Sequence, residues 1–560
     1  MTNVQPSSMD VGSAADISLP KFRCQPVTRD EVLKIIKGFK NKISCGYDQI
    51  PISLIKSVAV EIADPLVHVV NSSFISGYFP DQLKISKVIP IFKKGDATNK
   101  ENYRPISIQP SFSKIFEKCM YNRLSTFLEE NNIFEDEQHG FRRGRSVVTA
   151  ATCFIENVIK DLDSKKKVLA ILMDLTKAFD RVCHAKLTDS LYNCGIRGVY
   201  LEWIKSFYEN RSQYVEMTYV KNNEIIRVHS KLEKLKNSVP QGSILGPLLF
   251  NCYTRGLVLK LANLKDNNKL TIYADDINLK VSDTKWSNLR QLSEISLNLT
   301  DEFLKGKNLI MNTTKTNYIV FDLKNKFTDF LENTNFNIDL KNQCLERKKS
   351  AKFLGLTIDN KLLWTEHVDN LCKKLSSGLF ALRKMSYYCD TSILLILYHA
   401  QIQSHIQFGL QIYGGTSHSN MVKVLIAQKK AVRIILKMKY HEPCKEKFIE
   451  LRILTVFSLY VFQLVLYAKQ NQHKLKKYKD FHSYSTRNKE NFKTDCHRTE
   501  LFKKMPEYMG PKLLNYIPEN IKKENNINIF KTNLKEFLIK MPLYSLEEFF
   551  VTFNKCNMKL

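Results

Sequence analysis

Two short apolar segments that both run into aspartate set the strongest constraint on what this chain can fold into. The segment KKVLAILMDL is almost wholly apolar up to Asp174, as expected for a buried central strand. The segment TIYADDINLKV carries two adjacent aspartates, Asp275 and Asp276, between two apolar arms. Because consecutive side chains of a strand point to opposite faces, adjacent aspartates converge only where the strand turns. The pattern therefore predicts a tight hairpin at Ala274, Asp275 and Asp276.

Three carboxylates at the ends of two neighbouring strands indicate a site for divalent metal. Adjacent carboxylates repel each other, and such a pair persists mainly where cations neutralise it. Mg²⁺ takes hard oxygen ligands and keeps positions open for water and phosphate, and two such ions suit phosphoryl transfer. Plainer alternatives stay open for the residues taken one at a time: a solvated Asp-Asp turn for the pair, and a helix cap for Asp174.

The chain carries a large surplus of positive charge. Its 85 Lys and Arg residues against 56 Asp and Glu residues give a formal net charge of +29. So many like charges repel one another unless the protein binds an anionic partner. Nucleic acid is the leading candidate for that partner, and an acidic membrane surface is the alternative. With 44% hydrophobic and 25% charged residues, the composition excludes a disordered chain and indicates a globular protein of several domains.

Neither the N-terminus nor the cysteines indicate export. Residues 1–20 lack the basic and apolar segments of a signal peptide, so we expect a disordered leader and an intracellular protein of nucleus and cytoplasm. The 13 cysteines form no Cys-x-x-Cys pair, which indicates reduced thiols, and Cys496 with His497 lacks the partners of a zinc site. The most apolar stretch, 393–413, is too polar to cross a membrane and is expected to form a buried helix pair.

The pattern of apolar residues divides the chain into segments. Residues 21–84 predict helices, one capped by Thr28 and a second that breaks or kinks at Pro65. Residues 85–360 alternate short strands with helices, which indicates an α+β fold. Helical periodicity dominates 361–440, where Thr365 is expected to cap a helix. Residues 441–560 are basic; within them, 470–523 shows little periodicity and contains several prolines, and 530–541 predicts a closing helix.

Seven motifs occur along the chain in an order that a known family shares. They are VIPIFKKGD with NYRPISI, EQHGFRRGRS, MDLTKAFDRV, VPQGSILGPLLF, YADD, NLIMNTTKT and FLGLTID. Together they resemble the fingers and palm motifs of the reverse transcriptases encoded by non-LTR retrotransposons of the jockey-like type, over roughly residues 25–440. The resemblance implies a right-hand polymerase with a leader (1–20), a helical N-terminal extension (21–84), fingers and palm (85–360), a helical thumb (361–440) and a basic C-terminal region (441–560).

The resemblance also implies a reaction and the residues that carry it. Asp174, Asp275 and Asp276 would be the catalytic residues and would hold two Mg²⁺ ions, with Mn²⁺ as a substitute. The backbone carbonyl of Leu175 would be a further ligand. The activity implied is that of an RNA-directed DNA polymerase, which transfers a nucleotide from a dNTP to a primer 3′-hydroxyl.

Four further residues match positions where the family binds the incoming nucleotide. Phe179 would stack under the deoxyribose and exclude a 2′-hydroxyl, and Arg104 would hold the triphosphate through its guanidinium. Gln241, followed by Gly242 in a turn that lets a strand approach closely, would touch the nucleotide or the template. Lys315 would approach the departing pyrophosphate as a proton donor. Each has an alternative: a core aromatic for Phe179, a surface residue for Arg104 and a solvated lysine for Lys315.

Several other positions are weaker matches to the family. Arg142, Arg143 and Arg145 form a basic turn that either grips template phosphates or is a solvated loop. Asp180 is interpreted as a structural residue. The chain departs from the family pattern at three positions that bear on template grip and fine positioning: His139, Val147 and Ile277.

Two functions from different classes follow. The first is an active polymerase whose partners are an RNA template, a DNA primer or target and dNTPs, with no membrane partner and no particular oligomeric state favoured. It would lack an endonuclease, since no room for one precedes residue 25. The second is a catalytically decayed or domesticated fragment that merely binds nucleic acid. The intact residues Asp174, Asp275, Asp276 and Phe179 favour the first.

Overall fold

The structure is a computed structural model that describes residues 20–264, 267–323, 336–341, 343–481 and 489–557. The expected leader therefore lies outside the described residues, apart from Pro20. The described residues mix helices and sheets in the α+β arrangement that the sequence predicts.

Three α-helices lie in the segment predicted as the N-terminal extension, residues 21–84: α1, Arg29–Gly38; α2, Ile52–Ser57; and α3, Ala63–Ser76. Thr28 caps α1 as predicted, since its hydroxyl oxygen accepts a hydrogen bond from the Glu31 amide at 3.3 Å. The break expected at Pro65 is displaced: the chain leaves the helix at residues 58–62, and Pro65 lies in the first turn of α3. A proline fits there because amides of the first turn have no acceptor within the helix.

The remaining elements alternate strands with helices up to residue 359 and are helical beyond it. The described strands are β1, Ile85–Phe92; β2, Tyr103–Ile108; β3, Lys167–Met173; β4, Ser212–Lys221; β5, Glu224–His229; β6, Glu233–Lys234; β7, Asn268–Tyr273; β8, Asp276–Asp283; β9, Asn317–Phe321; β10, Asp339–Leu340; β11, Gln343–Cys344; β12, Glu346–Arg347; β13, Ser350–Phe353; and β14, Leu356–Asp359. The helices between them are α4, Ser111–Glu130; α5, Val147–Asp163; α6, His184–Asn193; α7, Val199–Tyr208; α8, Gly246–Thr254; α9, Leu257–Lys260; and α10, Trp286–Gly306.

The central sheet carries the aspartates. Its described strands lie in the order β12–β9–β3–β8–β7, with β3 antiparallel to both of its neighbours. Residues 168–173 of β3 are all buried, which explains why that segment is almost continuously apolar. β7 and β8 form the hairpin that the sequence predicts, with Tyr273 paired to Asp276.

The two faces of β3 belong to different hydrophobic cores. Its even-numbered side chains, from Val168 to Leu172, pack in one cluster with α5 and the C-terminal helices. Its odd-numbered side chains, from Leu169 to Met173, pack in a second cluster with the N-terminal helices, α4, α6, α7, α8 and α10. The period-2 alternation of a strand therefore places β3 as the wall between two cores.

A second sheet contains the strands that the resemblance assigns to the fingers. β1 and β2 make an antiparallel hairpin in which Arg104 lies opposite Ile91. β1 also pairs in parallel with β4, and β4 pairs with β5. This sheet brings the hairpin that carries Arg104 next to the central sheet.

The helical part begins at α11, Thr365–Met385, and the predicted cap there is wrong. Thr365 is the first residue of the helix, preceded by Trp364 at a φ of 65°. The turn before the helix is held instead by Asp359, whose carboxylate accepts from the amides of Lys361, Leu363 and Trp364 at 2.8–3.0 Å. The predicted apolar face is correct, since Val368, Leu371, Leu375 and Leu382 are buried.

The helices that follow α11 pack into one bundle. They are α12, Thr391–Tyr398; α13, Ser404–Gln407; α14, Leu410–Tyr413; α15, His418–Ile435; α16, Lys445–Glu450; α17, Val456–Gln470; α18, Pro506–Asn515; α19, Glu519–Lys522; α20, Ile527–Ile539; and α21, Leu546–Asn557.

The apolar stretch 393–413 is not the buried helix pair that was expected. α12 continues through a π-helical turn, His399–Gln403, into α13, and the chain breaks only at Gly409. Ile396 is 70% exposed whereas Tyr398 and Ile402 are buried, so the run is amphipathic. Within the described ranges, no helix combines the length and the apolar character that crossing a lipid bilayer would require.

The basic C-terminal region is more regular than the sequence indicates. Within 470–523, α18 begins at Pro506 and packs against α17, and the closing helix lies close to its predicted place as α20. One hydrophobic cluster runs from α5 through α11 to α20 without a gap at residue 440. The domain boundaries at 84, 360 and 440 stay predictions.

Polar contacts join this bundle to helix α5. Glu156, which is 8% exposed, accepts a hydrogen bond from the Glu507 amide at 3.0 Å and from the Tyr467 hydroxyl at 3.3 Å. Near the end of α5, the Asp163 carboxylate accepts from the amides of Arg498 and Thr499. Both joints connect residues more than 300 positions apart in the chain.

Candidate active site

The three predicted carboxylates lie together at one edge of the central sheet. The pair Met173–Ile277 is the last of the β3–β8 ladder, so Asp174 and Asp276 follow it directly on adjacent strands. Asp275 lies in the turn of the β7–β8 hairpin, after Ala274 at a φ of 58°. The Asp174 backbone is fixed by its carbonyl, which accepts from the Asn312 amide at 2.8 Å.

The surroundings of Asp275 and Asp276 in the hairpin turn raise the pKa values of both carboxyl groups. Asp276 keeps contact with solvent, yet the surrounding protein raises its pKa to about 6, and the charges of Asp275 and Asp174 add to that rise. Burial also raises the pKa of Asp275, with Asp174 contributing, while Arg104 and Lys93 of the fingers oppose the rise. The carboxylates therefore share one electrostatic environment, into which the fingers hairpin places positive charge.

As a donor set, these residues match the chemistry of a hard divalent ion. They offer carboxylate oxygens, and the site stays open on one side. Among the described residues, no three His, Cys, Asp or Glu side chains are already arranged as a metal cage. Their candidacy as ligands therefore rests on backbone placement and on their mutual repulsion, which a bound cation would relieve.

Lys315 reaches the same site from the segment before β9. Its ammonium lies 3.4 Å from the Asp174 carboxylate, and its side chain is 62% exposed. Arg104 is exposed on β2, and its guanidinium makes no ion pair with any residue that the structure describes. Both cations are thus available to an anionic ligand at the carboxylates.

Phe179 lies five residues past Asp174 in a short 3₁₀ helix, Ala178–Arg181. Its ring is half-buried and stacks on Phe250 with the centroids 4.6 Å apart. Its carbonyl accepts from the Val239 amide at 3.1 Å, which ties this helix to the segment before Gln241. The ring is therefore supported on one side by the core and accessible on another.

Gln241 is held from two sides. Its carbonyl accepts from the Ser107 amide of β2 at 2.9 Å, and its side-chain amide donates to Asp180 at 3.0 Å. Gly242 has a φ of +116°, and a Cβ there would lie 2.6 Å from the Ser107 carbonyl oxygen. The strand that Gly242 lets approach is thus β2 of the fingers, and the structural interpretation of Asp180 agrees with its contact to Gln241.

Two residues that sequence reasoning did not assign, Gln138 and Gly140, contact the turn that carries Asp275. The Gln138 side-chain oxygen accepts from the Gly140 amide at 2.8 Å and from the Ala274 amide at 3.3 Å. A side chain at Gly140 would collide with the Ala274 amide. The sequence signal was the QHG within the fingers motif, which the resemblance connected with template grip instead.

The adjacent His139, a departure from the family pattern, is also structural. Its amide donates to the Ile272 carbonyl of β7 at 2.8 Å, and its ring lies 3.2 Å from the Thr149 hydroxyl. Burial lowers the pKa of His139 to about 4, assisted by the charges of Arg145 and Arg142, so the ring is neutral near pH 7.

A buried polar network behind the Gln241 turn was also missed. Glu117, on α4, is fully buried and accepts from the amides of Ile244 and Leu245, just before α8, at 2.7 and 3.2 Å. Arg211 is equally buried, and Gln109 links the two by donating to Glu117 (2.6 Å) and accepting from Arg211 (3.0 Å). A glutamate among the buried positions of a predicted helix was the available signal.

Two of the three arginines in the basic turn, which was predicted either to bind template phosphates or to be a solvated loop, form ion pairs within the protein. Arg142 is 6% exposed in its side chain and forms a two-point contact with Glu129 at 2.7 and 2.9 Å. Arg145 pairs with Asp136 at 2.6 Å. Arg143 is exposed and makes no ion pair within the described part of the chain. Arg142 is therefore structural, and the prediction for it was wrong.

Comparison with known proteins assigns a family to part of the chain. Residues 91–358, just under half of the chain, match the family model described as reverse transcriptase (RNA-dependent DNA polymerase). They form a reverse transcriptase domain. The match spans all three carboxylates, Phe179 and Gln241, and it confirms the resemblance inferred from the motifs.

Relatives that share this reverse transcriptase domain include proteins of insect transposons. The chain is 29% identical over 76% of its length to the probable RNA-directed DNA polymerase from transposon BS of Drosophila melanogaster, covering 46% of that protein. It is 26% identical over 76% of its length to the RNA-directed DNA polymerase from mobile element jockey of the same species, covering 45%. The chain thus spans a little under half the length of these relatives.

Solved structures that resemble the chain include an apo telomerase from Candida tropicalis. The two align with a TM-score of 0.36 and 13% identity, covering 72% of this chain and 67% of the telomerase. The right-hand fold assignment rests on the reverse transcriptase match and on the topology of the palm sheet.

Proposed function

We propose that the chain is an RNA-directed DNA polymerase that extends a DNA primer with dNTPs on an RNA template. The convergence of Asp174, Asp275 and Asp276 at one sheet edge, in surroundings that raise the pKa of two of them, carries this proposal. Mutual repulsion makes such a cluster unfavourable unless cations use it. Partners of this kind imply work in the nucleus and cytoplasm.

The carboxylates are proposed to hold two Mg²⁺ ions, or Mn²⁺ in their place, with the Leu175 carbonyl as a further ligand. Bound there, the ions would supply positive charge for activating the primer hydroxyl and stabilising the departing pyrophosphate. The protein's own contribution is orientation. The ladder of β3 fixes Asp174, and Gln138 fixes the turn that carries Asp275.

Two basic side chains are proposed to act on the phosphates of the incoming nucleotide, and Gln241 to contact the nucleotide or the template. Arg104 is proposed to hold the triphosphate, because its guanidinium forms no ion pair with a described residue and lies within electrostatic reach of Asp275. Lys315 is proposed to deliver a proton to the departing pyrophosphate from its position beside Asp174. Gln241 is proposed to contact the nucleotide or template from the turn anchored to Asp180 and β2.

Primer extension by an Asp174→Asn variant tests the proposal. The substitution keeps the side-chain volume but removes a negative charge, so extension should fall by at least about 1,000-fold, or roughly 4 kcal/mol of barrier. Asp283→Asn is a matched control, because it makes the same change at the far end of β8, opposite Lys167. If Asp174→Asn extends a primer at near wild-type rate while folded, the carboxylate assignment fails.

Sugar selection by Phe179 is a separate test. Trimming it to Val opens space beside the sugar without touching a carboxylate, so ribonucleotide use should rise relative to deoxyribonucleotide use by on the order of 100-fold in kcat/KM. Phe179→Tyr keeps the ring and should keep the discrimination. An equal loss with both nucleotide types would instead make Phe179 a core aromatic that leans on Phe250.

The second candidate function, a fragment that only binds nucleic acid, can be distinguished from the polymerase by the same extension assay. It predicts tight binding of primer and template with no extension by the wild-type protein. The intact carboxylates and the position of Phe179 against Phe250 favour the enzyme.

A further inference from the structure

A groove at the far end of two thumb helices carries features that the polymerase site does not use. α11 and α15 run in the same direction, because Asn420 donates to Thr365 at 3.1 Å and Lys423 pairs with Asp369 at 2.7 Å. Both helices end beside an open groove of about 660 Å³. Arg383 on its rim lies about 27 Å along α11 from the start of the helix, at 1.5 Å per residue.

The groove is strongly basic. Its lining includes Arg383, Lys430, Arg433 and Lys437 and contains no acidic side chain of the described residues. None of these four cations forms an ion pair with a residue that the structure describes. Four uncompensated charges beside one cavity create a positive potential that attracts phosphates.

Exposed tyrosines interleave with these cations. Tyr387 and Tyr440 line the groove and are 77% and 66% exposed, and the adjacent Tyr388 is 86% exposed. The Arg433 guanidinium lies 5.9 Å from the Tyr440 ring centroid and is itself fixed by two bonds to the Glu442 carbonyl. Rings that project into solvent between cations offer flat faces on which bases can stack.

We propose that this groove is a second nucleic-acid site, which binds a single strand by stacking its bases on Tyr387 and Tyr440 and its phosphates on the surrounding cations. A duplex would hide its base faces, so it could not use the tyrosines. Neither stacking nor phosphate contact reads the sugar, so RNA and DNA single strands are both expected to bind. The proposal goes beyond the polymerase function and does not require the carboxylates.

Fluorescence anisotropy on the full chain tests it. The probes are labelled 12-nucleotide oligo(U) and oligo(dT), with unlabelled primer–template duplex in excess to occupy the polymerase cleft. Replacing Tyr387 and Tyr440 together by Ala should weaken both probes on the order of 100-fold, about 10-fold per stacked base. Replacing both by Phe keeps the ring faces and should leave affinity within twofold of wild type.

Charge variants give a second readout. Arg383→Gln with Lys437→Gln should make the negative slope of log K against log salt shallower by about 1.4, near 0.7 for each lost phosphate contact on a single strand. Lys531→Gln with Lys535→Gln is the matched control, since it removes the same charge from exposed positions of α20. The control should leave the slope unchanged.

Several outcomes would overturn the proposal. No probe binding while the duplex is present would show that a separate site does not exist. An equal loss of duplex binding in the tyrosine variant would assign the groove to the polymerase cleft. Displacement of the probes by poly-glutamate, with no dependence on the tyrosines, would assign it to an acidic peptide. Melting temperatures equal to wild type exclude misfolding, since all the changed residues are solvent-accessible.

Discussion

Glu117 and Glu156 are both buried carboxylates at joints of the molecule, yet their surroundings differ. Glu117 joins the fingers helix α4 to the Gln241 turn and has the buried Arg211 nearby. Glu156 joins the palm helix α5 to the C-terminal bundle and has a second carboxylate, Glu507, nearby. The first joint has its buried carboxylate near a buried cation, whereas the second has two carboxylates near each other.

The difference appears in how each carboxylate titrates. Burial raises the pKa of Glu117, but Arg211 and the amides of the turn oppose the rise. Burial raises the pKa of Glu156 to about 7, and Glu507 adds to that rise while Lys160 opposes it. A buried carboxylate with a buried cation is fixed by that partner, whereas one beside a like charge becomes sensitive to pH.

The largest effect is expected from breaking the first joint. Glu117→Gln leaves the Arg211 guanidinium buried without an anion, which should lower the free energy of unfolding by about 3–5 kcal/mol. Urea unfolding at pH 7 measures the loss. Adding Arg211→Met removes the stranded charge and should recover part of the stability. A loss under about 1 kcal/mol would show that the hydrogen bonds to the turn, rather than the electrostatic attraction between Glu117 and Arg211, stabilise this joint.

The second joint should respond to pH. Glu156 has an ordinary pKa of 4.5 when unfolded and about 7 when folded. The folded state therefore binds the extra proton between these values, so this group's stabilisation is fully present below about pH 4.5 and is lost as pH rises through 7. The expected loss is on the order of 3 kcal/mol.

Glu156→Gln should remove that dependence. The variant should match wild type near pH 5 and melt higher than wild type near pH 8, because a neutral amide pays no charge penalty when buried. Thermal melts of both proteins at the two pH values measure the difference. Parallel curves for the two proteins would mean that Glu156 is neutralised by Lys160 and that the contrast with Glu117 is wrong.

The smallest effect is expected at an exposed pair that also joins fingers to palm. Lys177 and Glu101 lie 2.8 Å apart with both side chains 56% exposed. Water and salt screen such a pair, so Lys177→Ala should leave the melting temperature unchanged within error. A clear fall would show that surface charge, rather than the buried Glu117, attaches the fingers.

The sequence predicted well where a local pattern decides the structure. The uninterrupted apolar run before Asp174 indicated a buried strand, and the ADD between two apolar arms indicated a turn; the structure has both. Thr28 was identified because its partner Glu31 is three residues away. These signals depend on spacings of two to four residues, which a single sequence displays.

What the sequence missed depends on partners far apart in the chain. Glu117 meets Leu245, and Glu156 meets Glu507, across separations of 128 and 351 residues. Arg142 looked free because its partner Glu129 lies on the preceding helix, 13 residues earlier. Such pairings depend on how helices and strands pack in three dimensions, and the periodicity of apolar residues in the sequence does not reveal them.

The packing of β3 between two hydrophobic cores affects how precisely Asp174 is positioned. Sliding β3 by one residue would turn every side chain to the opposite face, and both cores would then have to repack at once. Asp174 is attached directly to the end of this strand. The position of the Asp174 carboxylate therefore depends on a strand that is packed on both faces. If a cavity forms in one hydrophobic core, packing in the other core still holds the strand, and with it the carboxylate, in place.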